Sequence, residues 1–190
     1  MSGFFVRALL KSEIVSIIQE GKRLSEQEGT AILDEFEKDQ PHLYQAIFGT
    51  LSDGIAEDSL DMAYLFLDLC FDIIFVYKKA FSNPSVKERD EQWIINKTRL
   101  LDAELKSLTK DIPMNAKFRN RLSDRLVERS IEAGVQMELL QYLDEQVINY
   151  VSFEYSRQKG VQITNNLLFV VVRLMDDIYT SDKSANKTKA

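Results

Sequence analysis

Two aspartates four residues apart, Asp68 and Asp72, interrupt the most apolar stretch of this 190-residue chain, SLDMAYLFLDLCFDIIFVYKKAF from Ser59 to Phe81. Four residues is close to one helical turn, so both carboxylates share a face of any helix built there. Glu35 and Asp39 repeat the spacing, and His42, the only histidine, follows just beyond. Carboxylate oxygens with one imidazole are ligands for hard or borderline cations. These five residues could therefore hold magnesium, manganese or iron and run a small metal-dependent reaction. Two features weigh against that. Di-iron bundles draw on two Glu-x-x-His pairs, which one histidine cannot supply. Pro41 also breaks the helical spacing between Asp39 and His42. Ordinary solvated acids produce the same intervals by chance, and His42 alone reads as a polar residue in a first helical turn.

Other chemistries find less support. Cys70, the only cysteine, lies inside the apolar run, which excludes an intrachain disulfide, favours a reducing cytoplasmic setting and suits a small core residue. One cysteine and one histidine leave few ways to pair a nucleophile with a base, and no glycine-rich phosphate loop is present. The run Asp176-Asp177-Ile178-Tyr179 superficially resembles the aspartate-rich motif of class I terpene synthases. Thr180 stands where the third aspartate belongs, however, and the chain is much shorter, so the expectation there is a polar helix end before a floppy tail.

Charge is unevenly spread. From Glu26 to Tyr77 twelve acids face one base, Lys38, leaving that segment at −11; with −6 for the whole chain, the remainder carries +5. An acidic lobe repels nucleic acid and attracts a basic partner surface, although such runs often only solvate a face. A helix-turn-helix over residues 14–36 is excluded on the same ground, because its recognition helix would carry Glu26, Glu28, Asp34, Glu35 and Glu37 towards phosphates. Lys117, Arg121, Arg125 and Arg129 form a basic stripe, but Asp124 and Glu128 interleave with it and suggest an ion-paired helix face.

These residues must be positioned by helices. Seven glycines and three prolines are few for a strand-rich fold, and the apolar spacing is helical in every long segment. Residues 4–20 read as a first amphipathic helix ending near Gly21. Ser25-Glu26-Gln27-Glu28 matches a capping box that opens a second. Pro41 opens a third, closing at Asp53-Gly54. The stretch 59–81 is apolar on nearly every side, which predicts a central buried helix; Asp68 and Asp72 inside it argue against a membrane span. Asp61, Asp68, Asp72 and Lys79 fall in one narrow strip of its surface, a solvent window or a polar seam. A long helix to about Thr109 follows, with Trp93 near its start. One or two helices over 115–159 end at a Gly160 cap, and a final helix carries the β-branched run Phe169-Val-Val-Val-Arg173.

The chain thus predicts an all-α bundle of six to seven helices around residues 59–81, a single domain over 1–180 and a disordered tail over 181–190, with no targeting segment. The leading functional reading is a non-catalytic cytoplasmic protein. It acts through a protein partner, self-association being the simplest case, with Glu35, Glu37 and Asp39 as the binding surface and neither nucleic acid nor membrane as partner. The alternative is the metal-dependent enzyme using Glu35, Asp39, His42, Asp68 and Asp72.

Overall fold

Two helices of this chain are opened by serine caps. In the computed structural model of the protein, the Ser25 hydroxyl accepts from the Glu28 amide at 3.3 Å while the Glu28 carboxylate accepts from the Ser25 amide at 2.8 Å. Two amides that the helix cannot satisfy itself are thereby satisfied. The Ser59 hydroxyl likewise accepts from the Met62 amide at the start of the apolar helix. The structure describes residues 7–81, 88–108, 136–151 and 158–179. They form α1 (Lys11–Gly21), α2 (Glu26–Asp39), α3 (Pro41–Gln45), a π-helical turn (Ala46–Leu51), α4 (Ser52–Ala56), α5 (Leu60–Ala80), α6 (Glu91–Leu108), α7 (Met137–Val151) and α8 (Gln158–Tyr179). The segment from α3 to α4 is continuous, so among the described residues the all-α fold has seven helices and no strand.

The apolar helix α5 packs against α1, α2, α4 and α8, and its side chains from Phe66 to Tyr77 fill the middle of the core. It does not stand alone. Helix α8 packs against α4, α5, α6 and α7 and buries Leu168, Val170, Val171, Val172, Leu174, Met175 and Ile178. The bundle therefore has two central helices. Three consecutive buried valines are poor helix formers, costing a few tenths of a kcal/mol each. Burying a valine side chain returns about 1.5–3 kcal/mol, so the core outweighs propensity. No described helix is long and apolar enough to cross a membrane.

Four expectations are corrected. Helix α1 begins at Lys11, not residue 4: Leu9 is buried, its amide donates to Gln136 Oε1 at 2.8 Å, and Gln136 Nε2 donates to the Arg7 carbonyl at 2.7 Å. A side chain from the far end of the chain thus holds residues 7–9 out of the helix. The third helix does not close at Gly54 but runs through a π-helical turn to Ala56. Gly160 is not a cap; it lies in the first turn of α8, where a Cβ would meet Met62 Cγ at 2.8 Å. Finally, the first turns of α5 are buried on one side only: Met62 and Ala63 are in the core, whereas Leu60 and Tyr64 are exposed. Residues 109–135, with the basic stripe and Gly134, residues 152–157 and the tail from 180 lie outside the described residues.

Candidate functional site

The strip on α5 divides. Asp61, Asp68 and Lys79 are exposed, whereas Asp72 is only 7% exposed. Asp72 sits in a cleft of about 460 Å³. The end of α1 supplies Gly21 and Lys22, α5 supplies Leu65, Asp68, Leu69, Phe71 and Asp72, and α7 supplies Gln146, Asn149 and Tyr150. The close crossing of α1 on α5 depends on Gly21, because a Cβ there would meet Phe75 Cδ1 at 2.9 Å. That crossing brings Lys22 to the cleft.

Among the described residues Asp72 accepts no hydrogen bond and forms no ion pair. Burial pushes its carboxyl up to about 6; Lys22 draws it down and Asp68 pushes it further up. The Tyr142 hydroxyl of α7 is raised by burial and by the charge of Asp72. A carboxylate held in this way is poised to meet a cation, because a buried charge without a partner is expensive.

The five candidate metal ligands do not converge. Glu35 pairs with Lys78 near the end of α5. Lys78 is six residues beyond Asp72, roughly 9 Å along the helix axis. Asp39 is exposed at the end of α2, and His42 lines a second hollow of about 540 Å³ between the α3 and π-turn segment and α6, with Thr50, Glu91 and Arg99. Among the described residues no three His, Cys, Asp or Glu side chains come together in a way that could hold a metal ion.

The proposed acidic surface has a different setting. Of the fourteen residues of α2 only Phe36 is buried, with Ile32 and Leu33 half-buried beside it. Asp34, Glu37 and Asp39 are exposed, and none forms an ion pair among the described residues. Their field reaches two tyrosines. The Tyr44 hydroxyl is raised by burial and then by Glu37 and Asp34; that of Tyr179 is pushed up to about 12 by burial and then by Glu35 and Asp39.

Asp176 is not part of a polar helix end. It is 3% exposed and accepts from the Tyr77 hydroxyl at 2.5 Å, and the Gln136 backbone helps to draw its pKa down against the effect of burial. Asp177 is the partner turned outward, paired with Lys97 at 2.7 Å. One signal was present in the chain: Asp176 follows Val172 by four residues, on the apolar face of α8. No such signal marks Lys22 or Gln146, which only tertiary packing brings to Asp72. Comparison of the chain with family models, with curated proteins and with solved structures finds no match in any of the three.

Proposed function

We propose that this protein acts by binding a protein partner with a basic surface, a second copy of the chain being the simplest case, and that the outer face of α2 is where the partner docks. The observation that carries the reading is the last turn of α2, where Glu37 and Asp39 stand exposed and form no ion pair among the described residues. Acids at the negative end of a helix dipole cost about 0.3–1 kcal/mol each. Local stability therefore gives no reason for them, and attraction of a cationic surface does. Asp34 extends the face, and Glu35 contributes less because Lys78 already compensates it. A second copy is a suitable partner because the chain outside residues 26–77 carries net positive charge, which would make the contact heterologous. The cytoplasm is the proposed setting, in keeping with a single buried thiol at Cys70.

The test compares the wild type with an Asp34→Lys/Glu37→Lys variant. Sedimentation at low and high salt is expected to show self-association that weakens with salt and is lost in the variant. If the wild type sediments as a monomer, the same pair is compared by affinity capture. A protein retained by the wild type at low salt and lost with the variant supports the reading. Identical retained sets overturn it, because steering by exposed charge must respond to both salt and charge reversal.

A further inference from the structure

We infer that the Asp72 cleft binds a primary ammonium group carried on an apolar stem, whether a free alkylamine or a lysine side chain of another protein. The inference is independent of the α2 face, since the two surfaces share no residue. Its starting point is the acceptor capacity of Asp72, which is more than nine-tenths buried, lines the cleft and accepts no hydrogen bond among the described residues. Lys22 contributes its field but does not close onto the carboxylate as an ion pair.

The rest of the cleft matches the same ligand. An ammonium offers three donors; Asp72, the exposed Asp68 and the side-chain carbonyl of Gln146 are acceptors among the side chains that line the cleft. Leu65, Leu69 and the half-buried Phe71 ring supply an apolar wall for an alkyl stem, and an aromatic face favours an adjacent cation. An anion would meet two carboxylates against one lysine. The volume suits a small ligand rather than a fold-sized partner.

The experiment is a titration of the full-length, isotope-labelled chain at neutral pH, followed by amide chemical shifts, with n-hexylamine and with 1-hexanol as its neutral counterpart. Saturable shifts at Lys22, Phe71 and Asp72 are expected with the amine and not with the alcohol. Asp72→Asn is expected to weaken amine binding about tenfold to a hundredfold, the worth of one charge-assisted hydrogen bond. Lys22→Met is expected to strengthen it by removing the competing cation. A peptide, acetyl-Gly-Lys-Gly-amide, is the second arm. Shifts of the same residues by the peptide with higher affinity than hexylamine identify a protein-borne lysine as the ligand source. Binding of hexylamine alone identifies a free amine, and either result supports the cleft.

Affinity is also expected to fall as pH drops through about 6, where Asp72 takes up a proton. The charged groups facing it are Lys22 from the end of α1 and Asp68 from α5, while the Tyr142 hydroxyl of α7 stays neutral. The inference is overturned if hexanol binds as well as hexylamine, if Asp72→Asn leaves amine affinity unchanged, or if neither amine nor peptide gives a saturable shift. A circular dichroism melt of each variant separates lost binding from lost fold.

Discussion

The Tyr77 hydroxyl donates a 2.5 Å hydrogen bond to Asp176 Oδ1, joining the two central helices inside the core. It also lies 3.3 Å from the Val172 carbonyl one turn earlier on α8. The Gln136 backbone also favours the charged form of this carboxylate, and the Gln136 side chain binds Arg7 and Leu9, so polar groups of α5, α8, the start of α7 and the N-terminal segment act on one another inside the fold. Burial pushes Asp176 up to about 7, and the Tyr77 bond opposes that shift by favouring the charged form.

Tyr77→Phe should therefore cost roughly 1–3 kcal/mol, the desolvation penalty of a buried acceptor that loses its donor. The loss should be larger at pH 8 than at pH 5, since the missing hydroxyl served the carboxylate most when it was charged. Urea denaturation at the two pH values measures both quantities. Equal losses would show that Asp176 does not titrate in this range.

Asp72 gives a second pH effect of known sign. Its folded value, about 6, lies above the ordinary 3.8. The folded state therefore prefers the protonated form. The wild type should lose stability as pH rises from about 4 through 6, and change no further on this account above that. Asp72→Asn removes the loss and should stabilise at pH 8 by up to about 3 kcal/mol while changing little at pH 4. Asp68→Asn, on the exposed side of the same strip, should stay within about 0.5 kcal/mol at either pH. Thermal melts of the two variants give the comparison, and a neutral Asp72→Asn would mean that the carboxylate is not desolvated.

Gly160→Ala should destabilise although alanine is the better helix former by about 1 kcal/mol. The added Cβ would stand 2.8 Å from Met62 Cγ and 3.0 Å from Met62 Cβ, and the second of these is not the free end of a flexible chain. Overpacking of this kind costs roughly 1–3 kcal/mol. Adding Met62→Ala should make the two substitutions less than additive, and a double-mutant cycle on melting temperature reads that coupling.

Glu35→Ala should cost less than about 1 kcal/mol, since its pair with Lys78 is an exposed one. Chemical denaturation checks this. A small value confirms that charge changes on α2 leave the fold intact, so that loss of a partner in the Asp34→Lys/Glu37→Lys variant reports docking.

Helix existence and most boundaries were legible in the chain because their causes are local. The Ser25 and Glu28 box, Pro41 at the start of α3 and Ser59 before α5 act within one turn, and 3.6-residue apolar spacing survives even through Val170, Val171 and Val172. The buried character of Cys70 followed from its neighbours in the same way. What was not legible depends on residues distant in sequence. Gln136 delays the start of α1, Met62 turns Gly160 from an expected cap into a packing contact, and Tyr77 converts Asp176 from a presumed surface acid into a core one. Asp68 and Asp72 share a helix face by spacing alone, yet one is exposed and the other buried, because the crossing of α1 at Gly21 and the approach of α7 cover only the second. Local capping and periodicity determine where helices form; burial and charge at a given position are decided by which other helix lies across it.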